Sequence, residues 1–160
     1  MSSILIIDDD PNCAKLWERV LEGQADTFLT ANSLEQAMER MSTIPPPDLV
    51  LLDLKIPPHG PEHTLSAIKA FREYNQDLKV IAVSGMTADE INAAVRASGA
   101  TIQGVVRKGD MDSQAKLLEA VQGLLASSKG FKDSMRVLQT VTDAIEKKRT
   151  DRIDLPPKAE

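Results

Sequence analysis

Ile4-Leu5-Ile6-Ile7-Asp8-Asp9-Asp10-Pro11 decides the architecture of this chain. Four apolar residues in a row, three of them β-branched, end abruptly on three carboxylates and a proline. A short continuous apolar run bounded by a turn signal reads as a strand buried on both faces. Pro11 suits the first turn of a helix, and Asp10 just before it suits the N-cap. The stretch therefore predicts a strand, an acidic rim and a helix, in that order.

The same grammar recurs along the chain. Leu49-Val50-Leu51-Leu52 runs into Asp53, Val80-Ile81-Ala82-Val83 into Ser84-Gly85, and the segment Ile102 to Val106 into Arg107-Lys108-Gly109. Thr27-Phe28-Leu29-Thr30 is a weaker, more polar strand candidate. Helical segments with recognisable ends lie between them. Gly23 suits the stop of the first helix. Ser33 and Gln36 form a capping-box pattern, as do Thr87 and Glu90. Pro61 opens a helix running to about Tyr74, Gly99 suits the C′ position of the next, and Asp110 or Asp112 can cap a last one running to about Ser127. Strands alternating with helices predict an α/β fold, a parallel sheet with right-handed crossovers covering both faces. Such sheets bind ligands at the carboxyl ends of their strands.

Those ends carry Asp8, Asp9, Asp53, Ser84 and Lys108. Carboxylates a few ångströms apart raise one another's pKa, so Asp8, Asp9 and Asp53 call for a cation between them. Hard oxygen donors with one or two direct carboxylates suit Mg²⁺, which keeps several of its waters. Lys108 adds an ammonium. A metal, a lysine and a hydroxyl around one aspartate form a phosphoryl-transfer constellation, in which the aspartate can act as nucleophile. The blander reading is a structural ion network. A haloacid-type phosphatase would need a second aspartate two residues after Asp53 as general acid, and that position is Lys55.

Composition excludes other classes. At 160 residues the chain has room for one domain and little more. Its 42% apolar and 27% charged residues are those of a globular protein, which argues against disorder. Net charge is −5, and no basic run exceeds Lys147-Lys148-Arg149, so direct nucleic-acid binding is not expected. One cysteine rules out an internal disulfide and fits a reducing compartment. No segment approaches the roughly 20 apolar residues of a membrane span. The amino terminus lacks a basic signal-peptide region. A cytoplasmic protein without membrane contact is expected.

Four stretches together, Ile4–Pro11, Leu49–Pro57, Val80–Gly85 and Val105–Gly109, resemble the receiver domain of bacterial two-component response regulators, of the stand-alone, chemotaxis-regulator-like kind. The resemblance covers residues 1 to about 128. It implies a flavodoxin-like, doubly wound five-stranded sheet of order 2-1-3-4-5. It also implies residue roles. Asp53 would accept the phosphoryl group, Ser84 would hydrogen-bond it and Lys108 would pair with it. Mg²⁺ would be held by Asp9 directly, by Asp8 through water, by Asp53 and by the backbone carbonyl of Lys55. The N–H groups of Leu54 and Gly85 would complete the cradle. The implied partners are a sensor histidine kinase or phosphotransfer protein and an unidentified output protein. No dedicated catalytic domain is implied, and autodephosphorylation is the one hydrolytic activity the resemblance allows.

Several positions depart from the family pattern. The aromatic often found three residues before the lysine is Val105, and the proline often found after it is Gly109. Val105 cannot make the swing of a large ring, so signalling by loop shifts is expected. A cis bond to glycine would cost ~3 kcal/mol, so Lys108–Gly109 is expected to be trans. These departures leave an alternative function, a phosphorylation-independent scaffold with the receiver fold.

Three further expectations concern side chains and the C-terminus. Cys13, Leu16 and Val20 fall on one helical stripe and are expected in the core, with Trp17 also packing. His59 and His63 lie in a loop and around a helix start with no third ligand nearby, and are expected at the surface. Phe131, Met135, Leu138, Val141 and Ile145 recur at helical spacing, predicting an amphipathic helix over 129–150, followed by a disordered tail over 151–160. That helix could pack on the receiver, dock on a partner or form a homodimer. The residues after 128 are too few for a typical DNA-binding or catalytic output domain, so output is expected from the receiver's own surface or from this helix.

Overall fold

Five parallel strands form one sheet of order β2-β1-β3-β4-β5 in a computed structural model that describes residues 2–126 together with residues 144 and 145. The strands are β1 (Ser3–Ile7), β2 (Thr27–Ala31), β3 (Leu49–Asp53), β4 (Lys79–Ser84) and β5 (Gly104–Arg107). The helices are α1 (Pro11–Val20), α2 (Leu34–Met41), α3 (Pro61–Tyr74) and α4 (Ala88–Ser98). A fifth, α5, begins at residue 113 and is described to residue 126. Met1–Leu125 makes one compact unit. The helix expected over 129–150 and the tail over 151–160 lie outside the described residues, apart from residues 144 and 145, which are helical and exposed.

The apolar runs are continuous because both faces of the sheet are covered. Leu5, Ile7, Val50, Leu52, Val80 and Ala82 face one way and pack with Ala37, Leu65, Ile68, Phe71 and Ile91 of α2, α3 and α4. Ile4, Ile6, Leu49, Leu51, Ile81 and Val83 face the other way and pack with Ala14 and Trp17 of α1 and with Leu117 and Val121 of α5. Alternation within each strand thus feeds two cores, each built of fully buried side chains worth roughly 1.5–3 kcal/mol apiece.

The helix ends follow local chemistry. The Asp10 carboxylate accepts from the Asn12 N–H at 2.9 Å, with Pro11 next in line. Ser33 Oγ accepts from the Gln36 N–H at 3.1 Å, and Gln36 Oε1 in return accepts from the Asn32 N–H at 2.7 Å. Thr87 Oγ1 accepts from the Glu90 N–H at 3.2 Å, and Gly99 closes α4 in the left-handed conformation at φ +69°. These caps fix where each helix leaves the rim.

Two expectations need correction. Cys13 is only half-buried, Leu16 is 38% exposed, and Val20 reaches the core only in part. The inward stripe is Ala14 and Trp17 of α1 with its C-cap residue Leu21, shifted by one residue. Strand β5 starts at Gly104, not at Ile102. Ahead of it, Gln103 donates its N–H to Val80 O at 2.8 Å, and its side-chain Oε1 accepts from the Val80 N–H at 2.7 Å. A side-chain amide oxygen therefore does the work of a strand carbonyl at that point. Among the described residues, no helix is long and apolar enough to cross a membrane.

Candidate functional site

Strand register brings the charged ends together. Ile7 pairs with Leu52, so Asp8 and Asp53 leave the sheet side by side. Asp53 pairs with Val83, and Ser84 pairs with Arg107, which places Ser84 and Lys108 one step beyond. Carboxylate oxygens of Asp8, Asp9 and Asp53 all lie within 4.8 Å of one another, and they are the one such acidic or metal-ligating cluster among the described residues. Asp8 and Asp53 are buried, at 3% and 7% exposure, whereas Asp9 is exposed.

Each buried carboxylate is held at both oxygens. Asp8 Oδ1 accepts from the Asp10 N–H at 2.9 Å, and its Oδ2 from Lys108 Nζ at 2.8 Å. Asp53 Oδ1 accepts from the Lys55 N–H at 3.1 Å, and its Oδ2 from the same ammonium at 3.2 Å. Ser84 is fully buried, and its Oγ accepts from the Met86 N–H at 3.2 Å. The Lys108 N–H donates to Ser84 O at 2.8 Å, tying the tip of β4 to the end of β5. The Lys108–Gly109 bond is trans, with Gly109 at φ +90°, a region open to glycine at little cost.

Electrostatics follow from this packing. Burial pushes the Asp53 carboxyl above the usual carboxylate range; the neighbouring Asp8 charge adds to that, and the Lys55 N–H and the Lys108 ammonium oppose it without overcoming it. Burial alone would lower the pKa of Lys108, but hydrogen bonds and charge from Asp8 and Asp53 outweigh it, and the net direction is up. The lysine is therefore a fixed cation. Three carboxylates against one ammonium leave the rim with excess negative charge in a half-buried setting. An all-oxygen donor set with that imbalance fits a small, hard divalent cation such as Mg²⁺. Lys55 is exposed and sits where its carbonyl borders the cluster in sequence.

The remaining candidates fall outside this group. Asp10 is committed to capping, and its carboxyl is held low by the Asn12 N–H and then by the Cys13 thiol. His59 and His63 are exposed, as expected, and stack on each other with ring centroids 3.9 Å apart. Arg107 carries no role in the sequence motifs, yet its Nε donates to Met86 O at 3.2 Å. Its one signal was a guanidinium at the end of an otherwise apolar strand.

Comparison with known proteins agrees with this geometry. The family model of the response regulator receiver domain matches residues 4–122. Among solved structures, the CheY-like response regulator receiver domain protein of Methanospirillum hungatei JF-1 is similar at a TM-score of 0.65 and 21% identity, over 81% of this chain and 98% of that one. The N-terminal domain of a response regulator/sensory box/GGDEF 3-domain protein from Carboxydothermus hydrogenoformans gives 0.64 and 25%, over 81% and 98%. The response regulator TrrA of Thermotoga maritima, solved in complex with Mg²⁺-BeF, gives 0.60 and 25%, over 78% and 99%. No curated protein matches the sequence. With four strand ends converging on one acidic rim and the family match spanning that whole sheet, the chain belongs to the response regulator receiver domain family, whose members work in phosphorylation-based signalling.

Proposed function

We propose that the chain is a phosphorylation-dependent response regulator that takes a phosphoryl group onto Asp53 from a histidine kinase or phosphotransfer protein in the cytoplasm. The observation that carries this reading is the Lys108 ammonium, shared between Asp53 and Asp8 at 3.2 and 2.8 Å on the ligand-binding rim of the sheet. In the transfer, the N–P bond of the donor phosphohistidine breaks as an Asp53 O–P bond forms. The imidazole nitrogen keeps the bonding pair, and the product is an acyl phosphate.

Asp9, Asp8, Asp53 and the Lys55 carbonyl would hold Mg²⁺, which when bound supplies charge neutralisation at the transferring oxygens. Lys108 stabilises the same oxygens from the protein side and needs no proton transfer to do so. Ser84, at the tip of β4, would supply the hydroxyl to the phosphoryl group, with the Leu54 and Gly85 N–H groups as backbone donors. Asp53, buried among its neighbours, is as a carboxylate a nucleophile that needs no general base. Output then comes from protein–protein contacts.

The receiver spans residues 1–128 in this reading, with an amphipathic helix over 129–150 and a tail over 151–160. The test is a phosphotransfer profile. Purified histidine kinases carrying labelled phosphoryl groups should label wild type rapidly in at least one case and leave Asp53→Ala unlabelled. A partner bound equally well by wild type and Asp53→Ala, with no labelling by any kinase, would favour a phosphorylation-independent scaffold.

A further inference from the structure

We infer that Arg107 is a latch that holds the β4–α4 loop in its unphosphorylated position and so couples Ser84 to the rest of the surface. The inference rests on the phosphoacceptor reading of Asp53 and adds a positioning residue to it. Arg107 sits at the end of β5, paired with Ser84 in the sheet. Its Nε–H donates to Met86 O at 3.2 Å, and its Nη1 lies 3.8 Å from Asp110 Oδ1 in the β5–α5 loop. One guanidinium thus joins the β4–α4 loop, the tip of β5 and the loop leading to α5. Its planar fork suits two acceptors at once, which an ammonium in the same place would not.

The latch bears on Ser84 through one residue. Met86 gives its N–H to Ser84 Oγ at 3.2 Å and its carbonyl to Arg107. Ser84 is fully buried and Met86 nearly so. For Ser84 Oγ to turn to a phosphoryl group on Asp53, it must release the Met86 N–H. A buried N–H left without a partner is costly, so the loop must shift to find it another. Arg107 resists that shift by gripping the same residue's carbonyl. Val105, two residues earlier on β5, has no polar atom with which to do so. Arg107 therefore favours the resting position of the loop, and breaking its grip should make the phosphorylated arrangement easier to reach.

Arg107→Met, which keeps the apolar stem, and Arg107→Ala test this. Amide hydrogen exchange of the Mg²⁺-free protein reads the latch itself. Titration with beryllofluoride in saturating Mg²⁺ reads its coupling to the site. Both variants should exchange the Met86 amide about three- to ten-fold faster than wild type, the range expected for one lost hydrogen bond, while the amides of β1 and β3 stay unchanged. Both should half-saturate at about three- to ten-fold lower beryllofluoride, a gain that a merely damaged structure would not produce. Wild-type exchange at Met86, or an unchanged or raised half-saturation point, overturns the latch. If wild type itself takes up no beryllofluoride while Asp53→Ala behaves identically, the reading of the site fails, and the coupling role falls with it. A responsive wild type with unresponsive variants overturns Arg107 alone.

Discussion

Lys108 and Asp8 stand 100 positions apart in sequence, and their charged atoms meet at 2.8 Å. The same ammonium reaches Asp53 at 3.2 Å. Two buried carboxylates therefore share one counter-ion, and removing it strands both.

Lys108→Ala should destabilise the Mg²⁺-free protein by about 2 kcal/mol, below the full cost of breaking a buried pair because the lysine is partly exposed. That corresponds to a fall in Tm of roughly 4–8 °C. Saturating Mg²⁺ should restore most of the loss, since a cation at the rim replaces the missing charge. Thermal melts in chelator and in Mg²⁺ check this; a loss that Mg²⁺ leaves untouched would mean that the lysine acts by packing alone.

Mg²⁺ should stabilise wild type by mass action, by about 1.4 kcal/mol at ten times Kd, or roughly 3–6 °C in Tm. Asp9→Asn should abolish that gain, because Asp9 is the exposed member of the cluster and the one that can meet an incoming hydrated ion. Trp17, buried on the helix that follows Asp9, provides a fluorescence readout of the same titration. Wild-type Mg²⁺ affinity in Asp9→Asn would remove Asp9 from the ligand set.

Stability should depend on pH through Asp53. Its folded-state pKa is raised by burial, so its contribution to stability is fully present below the ordinary carboxylate pKa near ~4 and is lost as pH rises through the folded value. Once ionised, Asp53 therefore works against the metal-free fold. Asp53→Asn should melt above wild type in chelator at pH 7.5, and the gap should close as pH falls towards ~4. Equal melting temperatures across that range would show that Lys108 and the Lys55 N–H fully compensate the burial.

The segment over 129–150 can be tested by cutting after Ser128. If its apolar side packs on the receiver, the truncated monomer should melt lower. If it pairs with a second copy, the mass seen by light scattering should halve with Asp53 still phosphorylatable. A truncated protein unchanged in both respects leaves docking on a partner or a disordered segment.

The sheet and its rim were legible because each buried run ends on a residue no core would hold. Asp8, Asp53, Ser84 and Lys108 mark the same edge of four strands, and once those strands are parallel they must converge. What escaped were choices between equivalent local patterns. On α1, Cys13-Leu16-Val20 and Ala14-Trp17-Leu21 have the same spacing, one residue apart, and only the position of the sheet decides which turns inward. Gln103 falls inside the apolar segment from Ile102 to Val106 and reads as strand, because nothing in a strand pattern signals a side chain standing in for backbone. The grip of Arg107 on Met86 O joins two strand ends that only the folded sheet makes neighbours.

The central claim is that Asp53 is a phosphoacceptor, and incubation with acetyl phosphate tests it most directly. In Mg²⁺, wild type should gain a single phosphoryl group by intact-mass spectrometry, labile to hydroxylamine as an acyl phosphate is, and absent in chelator and in Asp53→Asn. Wild type that stays unmodified in Mg²⁺, or Asp53→Asn that is modified as readily as wild type, would contradict the account.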